Sequence, residues 1–374
     1  MKKRIKLLLV SAVFVDRGAE RLIIALYNYL PKDIYEIKIL CLRNLSPYAE
    51  YLNKHTDIKI DVIGMKNNLD FISLFRFYKY IKDFKPDIVN FHHFRAALWG
   101  RLFTKLSRVP VVLYSVHNKW GGAIHHFLDK KMSRFTDAII PFSLAVRNYL
   151  IDEEKIEEKY IEEPIYAGID IEKFSNINKD EVELLRKELG IKNDRNIIGF
   201  VGSIDDEKGL IYLIEAVRKL KTTFTDLCCL IIGEGPDKAK FKEIITEYKL
   251  ENNFVFLGRR YDIYNLLKLM KVFVLPSLRE GLPLVVIEAM ASSCPVIATN
   301  VDGVPEIVTH EKNGWLVPPA NADALANAIE VLLADEKLRG QLILKGFETV
   351  REKFGIKEMA ANYNRLYQRY LNRN

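Results

Sequence analysis

The chain has 374 residues, 49% hydrophobic and 28% charged, a soluble composition that excludes a disordered, collagen-like or low-complexity protein. Its length is that of two domains, each able to bury a core. The net charge of +7 is uneven, +13 over residues 1–150 and −6 over 151–374, so the first half suits an anionic partner: nucleic acid, an anionic membrane surface or a phosphorylated substrate.

The chain opens with Met1-Lys2-Lys3-Arg4-Ile5-Lys6 and apolar residues over 7–15, the outline of a short signal peptide. No small-x-small cleavage site follows, and Arg17 and Glu20 stand where one belongs, so a buried first strand is the better reading. No stretch reaches the ~18–20 apolar residues of a membrane span. Short apolar runs at 5–10, 37–42, 58–62, 88–91, 111–115 and 138–141 alternate with helical patterns such as 20–30, 71–84 and 96–106. The rhythm restarts at 197–201, 227–232, 254–257, 272–275, 296–298 and 315–317, with helices at 210–220, 237–248 and 284–292 between the runs. From Asp323 the pattern is helical to the end, with a break at Phe354-Gly355. This is the β-α-β-α order of parallel sheets covered on both faces. A charged stretch over 152–163, closed by Pro164 and Gly168, separates the halves. The expectation is an α/β protein of two Rossmann-like, doubly wound domains facing across a cleft. Ligands then bind at the carboxyl ends of the strands.

The segment 71–85 is rich in aromatics and lysines. An ordinary sheet-covering helix, burying Leu74, Phe77, Tyr78 and Ile81, is the favoured reading. A helix lying on an anionic membrane is the second. The four cysteines, Cys41, Cys228, Cys229 and Cys294, form no C-x-x-C pair and read as reduced core thiols, which suits a cytosolic compartment.

The strongest local signal follows the run at 272–275. Glu280-Gly281-Leu282-Pro283-Leu284-Val285-Val286-Ile287-Glu288 opens a helix. Gly281 allows close backbone approach, and Pro283 suits a helix's first turn. The N–H groups of Gly281 and Leu282 then suit a phosphate. Glu280 stands at the mouth, and Glu288, about two turns in, suits sugar hydroxyls. Read alone, these carboxylates are equally well a dipole-favoured helix start and a solvated helix residue.

Here the sequence resembles a known family. Pro276-Ser277-Leu278-Arg279-Glu280-Gly281-Leu282-Pro283, with Glu280 and Glu288 eight apart, looks like the E-x7-E motif of retaining GT-B glycosyltransferases of the group-1, family 4-like type. Ile232-Gly233-Glu234-Gly235-Pro236, Val255-Phe256-Leu257-Gly258, Gly303-Val304-Pro305-Glu306 and Asn313-Gly314-Trp315-Leu316 are similar landmarks in the same order. The resemblance is dense over 197–335 and thinner over 1–175. It implies an acceptor domain over 1–170, a nucleotide-sugar donor domain over 171–354, and a helix over 355–374 returning to the first domain. It implies that Glu280 touches the donor sugar, Glu288 the ribose, and Gly281 and Leu282 the sugar and diphosphate, with Gly258 among the donor contacts. Lys208 would neutralise the leaving diphosphate. Without an anionic ligand, a lysine at a helix start runs against the dipole.

The family's Arg after the strand-ending glycine is Ser203 here, which removes one of two phosphate clamps. Arg259 or Arg260 is the candidate replacement. Asp16-Arg17-Gly18-Ala19-Glu20-Arg21 looks like the family's Gly-Gly-Ala-Glu-Arg loop, with Gly18 near the diphosphate and acceptor and Arg17 in place of the first glycine. Ser115-Val116-His117-Asn118 is similar to the segment whose histidine faces the donor sugar, and Asn90-Phe91-His92-His93 ends another strand. The catalytic candidates are thus His117, Lys208 and Glu280.

Other classes lack their marks. There is no Asp-x-Asp for a metal-bridged diphosphate, no P-loop, and no G-x-G-x-x-G after the first strand. His92-His93 and His125-His126 are adjacent pairs, without helical zinc spacing. The basic residues of the first half carry no nucleic-acid motif. The expected activity is transfer of a sugar from a UDP- or GDP-linked donor to an acceptor hydroxyl with retention, in surface-polysaccharide or glycolipid synthesis. Neither metal nor cofactor is expected. The resemblance implies front-face attack, the leaving diphosphate helping to take the acceptor proton. The expected acceptor is a carbohydrate or lipid-linked sugar, with peripheral contact at the inner face of the cytoplasmic membrane. The alternative is a catalytically weak nucleotide-sugar-binding protein of the same fold.

Overall fold

The computed structural model describes residues 3–15, 18–67, 70–119, 121–175, 178–192 and 195–373. They form two compact units, the first of residues 1–168 and 356–374, the second of residues 169–355.

The first unit is built on six strands: β1 (Ile5–Ser11), β2 (Tyr35–Cys41), β3 (Ile60–Val62), β4 (Ile88–His92), β5 (Val111–Val116) and β6 (Ala138–Pro141). They pair in the order β3-β2-β1-β4-β5-β6, all parallel. Every residue of β4, β5 and β6 is buried, as a sheet covered by helices on both faces requires. The N-terminal apolar run is therefore a central strand.

The helix Phe71–Phe84 is capped by Asp70, whose carboxylate accepts from the Ser73 N–H (3.1 Å). It buries Leu74, Phe77, Ile81 and Phe84 against the sheet. Tyr78 is only half-buried, so the expected face is turned slightly toward Phe84. Phe71, Ile72 and Phe75 are left exposed, at 73%, 70% and 67%.

The terminal helix Ile356–Leu371 also belongs to the first unit. Its Tyr367 hydroxyl accepts from the Asn90 amide (3.0 Å), and its Tyr363 hydroxyl bonds Ser115 Oγ (3.2 Å). Both rings are fully buried. A buried polar side chain on a central strand needs such a partner, and this helix supplies one each to β4 and β5.

The second unit repeats the plan with β7 (Ile197–Val201), β8 (Cys228–Ile232), β9 (Phe254–Gly258), β10 (Val272–Leu275), β11 (Val296–Thr299) and β12 (Trp315–Val317). The order is β12-β11-β10-β7-β8-β9, again all parallel. In both sheets the chain runs outward in one direction and then returns to the middle to run the other way. The reversal falls between β1 and β4 in the first unit and between β7 and β10 in the second. Loops leaving those strands diverge, and ligands settle in the crevice between them. All four cysteines are buried, and burial pushes the Cys294 thiol up to about 12. Among the described residues no helix is long and apolar enough to cross a membrane.

Candidate active site

At the β7/β10 reversal two loops are strapped together. The loop after β7 forms a short turn, Asp206–Lys208, capped by Asp205, whose carboxylate accepts from the Lys208 N–H (3.2 Å). Gly209 ends the turn at φ +63, and a Cβ there would lie 2.1 Å from the Pro276 carbonyl oxygen. Only glycine permits both the left-handed backbone and that approach. The Leu278 N–H also donates to the Glu207 carbonyl (2.8 Å).

The result is an ion pair between the two catalytic candidates of this unit: Lys208 Nζ lies 2.7 Å from Glu280 Oε1. Ser277 Oγ donates to the same oxygen (2.7 Å), and the Glu280 N–H donates to Asp302 Oδ2 (2.8 Å). The side chains of Lys208 and Glu280 are 23% and 9% exposed, so the pair is reachable from solvent and firmly oriented. Ser277 and Asp302 are missed by the sequence reading. The signal near Asp302 is the landmark that begins one residue later, at Gly303.

The neighbouring helix is Leu284–Ala291, with Pro283 as its N-cap. Gly281 and Leu282 therefore precede the helix, and Pro283 is not in its first turn. The first helical N–H groups are those of Leu284 and Val285, while the Val286 N–H already donates to the Pro283 carbonyl (3.0 Å). Glu288 is the fifth residue of the helix, little more than one turn in rather than two. It is only 6% exposed, so it is no solvated helix residue. Ser203 is exposed, and its hydroxyl donates to Asp205 Oδ2 (2.5 Å). The guanidinium of Arg260 is engaged by Asp262 (2.6 and 2.8 Å) and Glu188 (3.4 Å). Arg259 is exposed just beyond β9. Gly258 ends β9 at φ +68, and its carbonyl accepts from the Gly233 N–H (2.8 Å).

The first unit gathers histidines at its own reversal. His92, the last residue of β4, is fully buried and places Nδ1 3.1 Å from Nε2 of His117, which follows β5 and is 8% exposed. Burial, reinforced by the neighbouring His93, lowers both: His92 to about 3 and His117 well below its ordinary value. Both rings are neutral at physiological pH. Gly18 begins the helix Gly18–Tyr29, while Asp16 and Arg17 lie outside the described residues.

His125, Asp129 and Glu154 offer three metal-ligand types within 4.8 Å of one another. The fully buried Arg101 already pairs with Asp129. Burial and the Asp129 charge push the Glu154 carboxyl well above the usual carboxylate range, so it stays protonated beside Asp129. A guanidinium and a shared proton thus balance this cluster.

Two family models match the chain: "Glycosyltransferase Family 4" over residues 17–173 and "Glycosyl transferases group 1" over residues 181–349. The UDP-Gal:alpha-D-GlcNAc-diphosphoundecaprenol alpha-1,3-galactosyltransferase of Escherichia coli is 29% identical, over 95% of this chain and 96% of its own length. A capsular polysaccharide biosynthesis glycosyltransferase of Staphylococcus aureus is 29% identical, over 83% of this chain and 85% of its own. The crystal structure of Anabaena HepE in complex with UDP superposes with a TM-score of 0.85 at 21% identity, covering 97% of this chain and all of that one.

Proposed function

The chain belongs to the group-1 glycosyltransferases, and from that premise we propose that it passes a hexose from a UDP-linked donor to a hydroxyl of a lipid-linked diphosphosugar, with retention. The fold is GT-B. The observation that carries the donor assignment is the Lys208–Glu280 pair at the β7/β10 reversal, with the buried carboxylate of Glu288 on the adjoining helix. Lys208 neutralises the diphosphate as it leaves, and Glu280 receives a hydroxyl of the sugar. Glu288 accepts from the ribose, and the backbone around Gly281, Leu282 and Gly258 lies along the diphosphate. His117, held neutral, is an uncharged hydrogen-bonding group for a sugar hydroxyl.

No metal enters this reading, because a lysine supplies the positive charge that a divalent cation would otherwise bring. The UDP donor is supported by the Escherichia coli relative and by the Anabaena complex. The acceptor class is supported by the same relative's diphosphoundecaprenol substrate. Membrane contact is supported by the exposed Phe71, Ile72 and Phe75 beside Arg76, Lys79 and Lys82, in the half of the chain that carries +13.

A second reading, a nucleotide-sugar-binding protein of low turnover, is favoured by Ser203 alone, since its hydroxyl is turned to Asp205 where an arginine would face phosphate. One experiment separates the two. The protein is mixed with UDP-galactose, UDP-glucose, UDP-N-acetylglucosamine or GDP-mannose and a short-chain polyprenyl-diphosphate GlcNAc, with and without EDTA. Transfer that survives EDTA and yields an α-linked product, read by NMR, supports the enzyme. Donor binding without transfer supports the binding protein. A β-linked product sinks retention.

A further inference from the structure

The loop after β10 is held from two sides, by the Lys208 turn on one and by the chain leaving β11 on the other. β11 lies beside β10 in the sheet, with Ala298 level with Leu275. Beyond it the chain turns at Val301–Val304, where the Val304 N–H donates to the Val301 carbonyl (3.0 Å). Asp302 sits inside that turn at φ +44, in the left-handed region. A glycine would meet this backbone demand at less cost, but it brings no acceptor. The carboxylate brings one: Asp302 Oδ2 takes the Glu280 N–H (2.8 Å). Thr299, the last residue of β11, donates its hydroxyl to the Ser277 carbonyl, nearer the start of the same loop.

We propose that Asp302 is a positioning residue that aims Glu280 at one hydroxyl of the donor sugar, and so decides which sugars the site accepts; this rests on the glycosyl-transfer reading above. Glu280 is fixed at two points. Its main chain is tied to Asp302, and its Oε1 receives both Lys208 Nζ and Ser277 Oγ, each at 2.7 Å. Ser277 is fully buried, so its hydroxyl belongs to the frame and not to a ligand. Oε2 takes neither of those bonds and is the oxygen the frame offers to the sugar. With the backbone and one oxygen held, the second oxygen stands in one place. An acceptor fixed in place suits a hydroxyl of one position and configuration, whereas a slack carboxylate follows whichever hydroxyl is near. Every group of this frame belongs to the second unit.

Asp302 acts through Glu280 and does not itself touch the sugar in this role. Without its carboxylate, Lys208 and Ser277 still hold Oε1, but the main chain at Glu280 loses its tie to the β11 side. The loss therefore falls on the fit to the sugar and spares the hold on the nucleotide, which is assigned to Glu288 on the adjoining helix.

The test uses the full chain with UDP-galactose, UDP-glucose and each of their monodeoxy analogues, and polyprenyl-diphosphate GlcNAc as acceptor. The wild type is expected to lose about 10–10²-fold in kcat/KM on one deoxy donor, the loss of a hydrogen bond to a carboxylate, and little on the others. Asp302→Gly keeps the left-handed backbone and removes the acceptor. In that variant the ratio between parent and deoxy donor falls toward one and kcat on the parent drops, while UDP affinity by calorimetric titration stays as in the wild type. Asp302→Asn tolerates the same backbone and offers an amide oxygen to the Glu280 N–H, so it restores the wild-type ratio. A merely structural role would lower stability and leave the ratio alone. A wild-type ratio in Asp302→Gly overturns the assignment, as does an Asp302→Asn no more selective than the glycine variant, or a wild type that uses every deoxy donor as well as the parent. If the wild type transfers neither sugar, the underlying reading falls first, and this one with it.

Discussion

Glu288 stands in the run Val285-Val286-Ile287-Glu288-Ala289-Met290-Ala291, and the Leu284–Ala291 helix holds it only 6% exposed beside the loop that carries Glu280. Glu288→Ala is expected to weaken UDP binding by about 1.5–3 kcal/mol, the value of a charge-assisted hydrogen bond. Unchanged affinity in a folded variant, measured by calorimetric titration, would falsify the ribose role. Lys208→Ala is expected to cut turnover about 10²–10³-fold, the usual loss for one preorganised electrostatic group. Its melting temperature should move little, because a partly exposed ion pair adds little stability. Full transfer activity in that variant removes Lys208 from the leaving-group role. Glu288's burial is not legible in the sequence, where a solvated helix residue reads equally well. Nor is the Lys208–Glu280 pair: the residues lie 72 apart, and no periodicity links the loops of two strands that become neighbours only when the sheet reverses. The contact between Glu20 Oε1 and His93 Nε2 is hidden for the same reason, 73 residues apart across the other reversal.

The strands are the most legible elements, because buried parallel strands read as short apolar runs and the turns between them interrupt the pattern. The run at 138–141 matches β6, and 272–275 matches β10. The start of the Leu284–Ala291 helix is less legible, since Pro283 suits an N-cap nearly as well as a first turn. Loop contacts leave no periodic trace at all, and Gly209 decides the one that matters most. Gly209→Ala forces a side chain into the left-handed region, at about 1–2 kcal/mol, and against the Pro276 carbonyl. A lowered melting temperature and a loss of turnover are expected together, as the Lys208 turn is pushed from Glu280. Gly340 lies in a helix with open space around it, so Gly340→Ala is the control and should change neither for the worse. If Gly209→Ala melts and turns over like the control, the strapping of the two loops is irrelevant. The helix Phe71–Phe84 carries its own expectation. Vesicles containing anionic lipid should bind the protein at low salt and release it at high salt, and neutral vesicles should not bind. Charge reversal at Arg76, Lys79 and Lys82 should weaken binding with UDP affinity intact. Flotation without lipid or salt dependence leaves the charge with solubility alone to explain it.

Two sheets of the same strand order repeat one plan, and each sets a carboxylate against a nitrogen-bearing side chain across its own reversal: Glu20 with His93, Glu280 with Lys208. The units differ in how they are closed. The second is one continuous stretch of chain, but the first needs residues 356–374 to complete it. Tyr367→Ala should cost about 3–5 kcal/mol, as for other buried aromatics, because it empties a fully buried site and takes from the Asn90 amide nitrogen its hydroxyl acceptor. Scanning calorimetry should show the loss in one of two unfolding transitions, with the other unmoved. A shift shared equally by both would mean that the units do not unfold separately. The same closure has a consequence in time. A ribosome makes the six strands of the first unit, then residues 169–355, and only then the helix that partners Asn90 and Ser115. At about 5–20 residues per second the nascent sheet waits roughly 10–40 s for its last layer. During that interval Tyr35, Asn90 and Ser115 lie uncovered, while the second unit can fold on leaving the tunnel. The half of the chain made first is thus the half finished last.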